Sequence, residues 1–104
     1  MIFYRDNEGR VYREPDWRKC PERLRQELYD YFWKSTRPGS FVYACLCDSF
    51  MTAMIRADRE DLAHSVALAK FIWHDMPSYT WGNDDLVARW TEKIPLYLIN
   101  KKAA

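Results

Sequence analysis

Five prolines divide the 104-residue sequence into short segments, at positions 15, 21, 38, 77 and 95. A proline inside a helix removes a backbone hydrogen bond and disfavours helical backbone in the residue before it. Helices must therefore begin at these positions or end before them. Apolar residues recur at helical spacing in the segments between, which predicts several short helices.

The N-terminal segment predicts a β-hairpin over residues 1–14. Its two β-prone arms, residues 2–5 and 10–13, flank the turn 6–9. Gly9 supplies the positive φ of a tight reversal, and Pro15 ends the second arm. Two strands alone are marginally stable, so we expect the hairpin to pack on other elements.

Two helices are predicted in the first half of the chain. The first spans about residues 21–35, with Pro21 in its first turn and a stop at Arg37-Pro38-Gly39. Its apolar face is Leu24, Leu28, Tyr31 and Phe32. The second begins at Ser40 and runs to about residue 57 as one central helix. Its inner face comprises Phe41, Cys45, Phe50, Ala53 and Met54.

Two further helices are predicted in the second half. Asp58 caps a third helix that ends before Pro77, and Asn83 or Asp84 caps a fourth that runs to about Lys93. The third helix carries two adjacent apolar stripes. They are Leu62, Val66, Ala69 and Trp73, and then Ser65, Leu68, Ile72 and Met76. Residues 96–99 are expected to form a strand beside the hairpin, and 101–104 a frayed tail.

These elements predict a single α+β domain over residues 1–104. The helical core of three or four helices covers 21–93 and carries the hairpin on one side. We expect Trp81-Gly82 to turn the chain back into the last helix, with Trp90 packed beneath it.

Composition and charge exclude several classes of function and partner. The chain has 16 basic and 15 acidic residues and a formal net charge of +1, so no bulk charge indicates a polyanion partner. No apolar run approaches the ~18 residues of a membrane span, and no secretory signal is visible. An odd count of three cysteines favours reduced thiols. We therefore expect a cytoplasmic protein without a membrane partner.

Three cysteines and one carboxylate are the side chains with some potential for chemistry. Cys45 and Cys47 lack a second close pair of ligands, so we expect neither a metal site nor a cofactor. Cys20 precedes a helix start, where the helix dipole would lower a thiol pKa, and it is predicted to be alkylated first. Asp48 interrupts an apolar stretch and is expected to pair with an arginine of a neighbouring helix or to cap a loop, with structural pairing favoured. An enzyme using Cys20 or Asp48 is the least favoured hypothesis, and no catalytic residue is assigned.

A nucleic-acid-binding module is the alternative function. Basic side chains alternate with aromatic rings in the hairpin segment, as in proteins that bind single strands. The candidate residues are Arg5, Arg10, Tyr12, Arg13 and Trp17. Acidic residues lie among them, a mixture that is more typical of a solvated surface.

The aromatic content favours protein binding. Five Trp and seven Tyr are more than a small core hides completely, and both types dominate interface hot spots. The candidate binding residues are Trp17, Tyr29, Trp33, Tyr79 and Trp81. The alternative, that these rings are half-buried edges of the core, stays open.

Three segments between residues 21 and 90 together form a recognisable pattern. The first runs from Pro21 to Phe32. The second comprises residues 37–41, Ala44, Leu46, Phe50, Ala53 and residues 56–58. The third comprises Phe71-Ile72, Pro77, Trp81-Gly82 and Trp90. Over these segments the chain resembles a family of small proteins encoded in phage and prophage genomes. The resemblance implies a phage origin, and with it the cytoplasm of a bacterial host, and assigns no functional residue.

The leading hypothesis is therefore a non-enzymatic phage-type accessory protein that binds a host protein or protein complex. One concrete form is an inhibitor of a host defence complex, such as an anti-CRISPR protein. Self-association into a homodimer is a further expectation for a small domain rich in aromatic residues.

Overall fold

The computed structural model describes residues 3–101, which form a mostly helical α+β fold with an N-terminal hairpin, as predicted. The strands are β1 (Phe3–Arg5) and β2 (Val11–Arg13), and a 3-10 turn follows at Trp17–Lys19. The first three helices are α1 (Glu22–Lys34), α2 (Ser40–Leu46) and α3 (Phe50–Arg56). The last three are α4 (Arg59–Asp75), α5 (Asp84–Glu92) and α6 (Leu96–Lys101).

The hairpin is antiparallel, with Tyr4 opposite Tyr12. Asp6 shapes its turn, because the Asp6 carboxylate accepts hydrogen bonds from the backbone amides of Glu8 and Arg10 at 2.9 and 2.8 Å. Gly9 has the predicted positive φ, 85°. The first two residues of the predicted hairpin lie outside the described part of the chain.

Helix α1 buries the predicted face and anchors the distal part of the chain. Leu28, Tyr31 and Phe32 are fully buried. The Tyr31 hydroxyl donates to the Thr80 carbonyl oxygen at 2.6 Å, and the Trp90 indole N–H donates to the Tyr31 carbonyl oxygen at 2.7 Å. The α1 backbone is thereby joined to α5, with Trp90 in the core as expected.

The prediction of one continuous helix over residues 40–57 is wrong. The chain leaves the helix after α2 because Asp48 adopts left-handed backbone, with a φ of 59°. The amide of Asp48 bonds the Cys45 carbonyl oxygen and the amide of Ser49 bonds the Ala44 carbonyl oxygen. These are the two bonds of a Schellman motif, a helix ending in which the left-handed residue is usually glycine. Asparagine and aspartate also tolerate this backbone conformation.

This break redirects the second half of the predicted helix. Ala53 remains buried and Met54 is half-buried, but Phe50 is exposed and does not belong to the inner face. The predicted face is therefore divided between a buried helix, α2, and a largely exposed one, α3.

Helix α4 has the predicted ends, and it buries only one of its two apolar stripes. Asp58 and Asp61 form a reciprocal capping box, and the helix ends before Pro77. In one stripe Leu68, Ile72 and Met76 are buried. The other stripe, Leu62, Val66, Ala69 and Trp73, is exposed.

The C-terminal segment is helical and not a strand. The Asn83 side chain caps α5 as predicted, accepting from the Leu86 amide at 3.0 Å. Pro95 then starts α6, and its carbonyl oxygen accepts from the amides of Leu98 and Ile99. Helix α6 packs on β1 and α1, so it takes the place that we assigned to a strand. Residues 102–104 of the predicted tail lie outside the described residues.

Candidate protein-binding surface

Helices α3 and α4 enclose an apolar cleft of about 350 Å³. We define the α3–α4 face as five apolar residues that line this cleft together with Leu62, which continues the α4 stripe by one turn. The five are Phe50 and Met54 from α3 and Val66, Ala69 and Trp73 from α4. The Trp81 ring also lines the cleft, and its centroid lies 5.6 Å from that of the Trp73 ring.

Large apolar side chains on this face project into solvent. Trp73 is 70% exposed, Phe50 69% and Val66 66%. Helix α3 also exposes Met51 and Ile55. At roughly 150 Å² for a fully exposed large apolar side chain, Phe50, Val66 and Trp73 together expose on the order of 300 Å². The largest apolar patch on a typical monomer is roughly 300–600 Å² and is often functional.

Few polar groups line the cleft. Asp48 and Lys70 supply its two charged side chains, and Ser49 and Ser65 its hydroxyls. The Cys45 thiol also lines it, and burial, aided by the charge of Asp61, raises the pKa of Cys45 to about 11. The thiol is therefore neutral at physiological pH, and the cleft is lined mainly by carbon. Such a lining suits the burial of apolar side chains better than the stabilisation of charge.

The five predicted binding residues do not share one surface. Trp17 and Trp33 each contact Tyr29, with ring centroids 5.3 and 6.3 Å apart. Trp17 and Trp33 are half-buried, and Trp17 also packs on Phe71. This cluster therefore joins the hairpin segment to the core.

Tyr79 and Trp81 lie apart from that cluster, with no ring contact to it among residues 3–101. The Tyr79 ring is exposed and is covered in part by the Arg10 guanidinium, 4.3 Å from the ring centroid. Trp81 is half-buried, and its indole N–H donates to the Met76 carbonyl oxygen at 3.2 Å. Of the five, only Trp81 lines the cleft.

The sequence prediction missed Trp73, Phe50 and Val66 as binding residues. Two adjacent apolar stripes on one helix were the signal available for Trp73 and Val66, because a helix packed on one side buries only one of them. The sequence gives no such indication for Phe50, because the exposure of Phe50 follows from the left-handed backbone of Asp48.

The nucleic-acid residues do not form an open aromatic platform. Arg5 and Arg13 are exposed. Tyr12 is only 2% exposed, and its hydroxyl donates to Asp6 at 2.8 Å, so its ring is closed to a stacking base. Arg10 pairs with Glu8 at 3.4 Å, and the Trp17 indole N–H donates to Glu14 at 2.9 Å. The structure thus engages part of this set in internal contacts.

The structure does not favour the predicted reactivity of Cys20. The thiol is buried, and this burial raises the pKa of Cys20 to about 12, although the nearby Arg25 acts in the opposite direction. Desolvation of the thiolate therefore outweighs the cations and the helix start. Asp48 is exposed and terminates α2, so it is not the buried partner of an arginine that was the favoured expectation.

Among residues 3–101, no three His, Cys, Asp or Glu side chains are grouped so that they could hold a metal ion. None of the helices described there is long and apolar enough to cross a membrane.

Comparison with protein-family models, with curated proteins and with solved structures finds no match for this chain. The similarity to phage-encoded proteins therefore stays a prediction from the sequence.

Proposed function

We propose that this protein acts by binding another protein through the α3–α4 face, without catalysing a reaction. The observation that carries the proposal is the apolar cleft bordered by the exposed side chains of Phe50, Val66 and Trp73. An exposed apolar area of this size is unfavourable in water, so covering it with a partner lowers the free energy.

The composition of the face supports a protein partner over a nucleic acid. Nucleic-acid affinity depends mostly on cations that neutralise phosphates, whereas this cleft has a single lysine opposed by a single aspartate. Tryptophan and other aromatic anchors in apolar pockets dominate the binding energy of protein interfaces. Trp73 has the position and the exposure of such an anchor.

The proposed role is that of a phage-type accessory protein directed at a host protein, for example a component of a defence complex. The sequence resemblance supports the origin, and the apolar face supports action by binding. Such a protein would act by occupying a surface that the host complex needs.

Affinity capture with matched variants tests the proposal. The wild-type protein, Trp73→Ser and Phe3→Ser are immobilised and exposed to nuclease-treated lysate of a bacterial host. Phe3 is the control because it is another exposed aromatic ring, located on β1. We expect a stoichiometric protein to be recovered by the wild type and by Phe3→Ser but not by Trp73→Ser.

Two results would contradict the proposed function. One is recovery of the same protein by Trp73→Ser at the wild-type level. The other is the absence of any captured protein while the untreated lysate yields bound nucleic acid that is released between ~50 and ~200 mM salt.

A further inference from the structure

We propose that the partner presents an amphipathic helix with acidic flanks, which packs along α4 in the cleft. This inference rests on the proposed function, because it names the partner of the same face. It is carried by the spacing of the exposed residues on α4 and by the charges around them.

The exposed stripe of α4 has the spacing of a helix-packing seam. Leu62, Val66, Ala69 and Trp73 follow one another at intervals of four, three and four residues. This is the a/d pattern of a coiled coil, a narrow stripe that suits one facing helix. It extends over three turns, or about 16 Å at 1.5 Å per residue.

The cleft beside this seam has the form of a groove between two helices. Phe50 and Met54, one turn apart on α3, form the opposite wall, while Ala53 and Ala69 are small side chains within the lining. The small alanines allow the backbone of a partner to approach closely. The large side chains of the two walls pack against the apolar side chains that the partner inserts. An incoming helix can thus place apolar residues into the cleft while it follows the α4 seam.

The basic side chains beside the α4 seam are complementary to carboxylates, and Asp48 is the one acidic side chain among the described residues that line the cleft. Arg59 and Lys70 are exposed, and within the described range neither forms an ion pair. Lys70 lies one turn after Val66, beside the seam. In contrast, Asp58, Glu60 and Asp61 at the start of α4 are already engaged by Arg23.

The same charges disfavour a second copy as the occupant. The sequence from Leu62 to His74 contains no acidic residue, and its titratable side chains are His64, Lys70 and His74. Two α4 seams packed in parallel would bring the Lys70 side chains of the two copies together. In antiparallel packing the carboxylates brought towards His74 would be those of Glu60 and Asp61, which Arg23 already engages. A helix flanked by glutamates would instead pair with Lys70 and Arg59.

Two synthetic peptides of three heptads test this inference. Both have the same leucines at positions a and d, and they differ only in having glutamate or lysine at e and g. Binding to the full chain is measured by fluorescence anisotropy at low salt. We expect the glutamate peptide to bind at least tenfold more tightly, and the double variant Arg59→Glu with Lys70→Glu to reverse this preference.

A Trp73→Ala variant separates seam packing from simple charge attraction, because it should weaken both peptides alike. Equal binding of the two peptides, or binding of neither, would overturn the inference. So would a wild-type dimer in light scattering that Trp73→Ala converts to a monomer. In each case the proposed function is judged separately, by whether Trp73→Ser still captures the host protein.

Discussion

The Lys93 ammonium lies 2.8 Å from Asp6 Oδ2, and both side chains are withdrawn from solvent, with exposures of 7% and 0%. The same carboxylate oxygen accepts the Tyr12 hydroxyl at 2.8 Å, and the other oxygen accepts the two backbone amides of the hairpin turn. Lys93 also lies over the Trp90 ring, 4.7 Å from its centroid. One buried carboxylate thus joins the hairpin to the residue that follows α5.

Removal of one member of this pair should destabilise the fold strongly. For Lys93→Met we expect a loss of about 3–5 kcal/mol in the free energy of unfolding, because the Asp6 carboxylate would remain buried without its cation. Urea denaturation measures the loss. Arg18→Met is the matched control, since it breaks the exposed Arg18–Asp16 pair, whose loss should change the stability little because solvent screens the two charges. Equal losses in the two variants would contradict the role of burial.

The Asp6 site should also make stability depend on pH. Burial by itself would raise the pKa of Asp6, but the hydrogen bonds from Lys93, Tyr12 and the two turn amides outweigh it and lower the pKa from 3.8. The folded state therefore binds the Asp6 proton less readily than the unfolded state. This contribution is present above pH 3.8 and is lost as the pH falls through the lower folded-state pKa.

Denaturation between pH 2 and pH 6 measures this dependence, and Asp6→Asn provides the comparison. We expect a smaller decline in unfolding free energy on acidification for the variant than for the wild type. Asp58 contributes in the same direction in both proteins, because the hydrogen bond from the Asp61 amide lowers the pKa of its carboxyl. Identical slopes for the wild type and Asp6→Asn would show that the Asp6 carboxyl is not the group responsible.

The thiols should react in the order of their exposure. Cys45 is half-exposed in the cleft, whereas Cys20 and Cys47 are buried, and burial raises the pKa of Cys20 to about 12. With a maleimide at neutral pH and mass-spectrometric mapping, we expect Cys45 to be modified first and Cys20 last. A partner or peptide in the cleft should slow the modification of Cys45. Labelling of Cys20 before Cys45 would contradict the packing of the helix α1 start.

The helix break at Asp48 should depend on backbone conformation. In left-handed backbone a residue with a Cβ is disfavoured by roughly 1–2 kcal/mol, and a β-branched side chain is tolerated least. In a thermal scan we expect the melting temperature of Asp48→Gly to be at least that of the wild type, and the melting temperature of Asp48→Val to be lower. The opposite order would indicate that the Asp48 carboxylate, and not the backbone, ends α2.

Much of this fold could be predicted because its helix boundaries are local. Pro21, Asp58 and Asn83 act through bonds or steric effects within one turn of themselves, so the ends of α1, α4 and α5 follow from the sequence. The break at Asp48 does not follow from the sequence, because an aspartate in left-handed backbone and an aspartate within a helix have similar sequence surroundings. The helix after Pro95 was missed for another reason, since four apolar residues fit a buried strand and a short helix equally well.

The binding surface was less predictable than the fold. Aromatic content alone drew attention to Trp17 and Trp33, which the tertiary packing places against the core. The pattern of α4 contained both apolar stripes but did not tell which one faces inward, because that choice is made by the elements packed around the helix. Exposure of Trp73 and Phe50 is therefore a tertiary property of the chain.

The most direct test of the account is Trp73→Ala, with its stability and its affinity for the captured partner measured on the same sample. Because Trp73 is exposed, the unfolding free energy should fall by less than about 1.5 kcal/mol, the size of its ring contact with Trp81. Affinity for the partner should fall by at least about 2 kcal/mol, as for an interface hot spot. Trp90→Ala, which removes a buried indole, should instead cost about 3–5 kcal/mol in stability. A Trp73→Ala protein that unfolds as easily as Trp90→Ala and still binds its partner at full affinity would contradict the claim that the α3–α4 face exists to be covered.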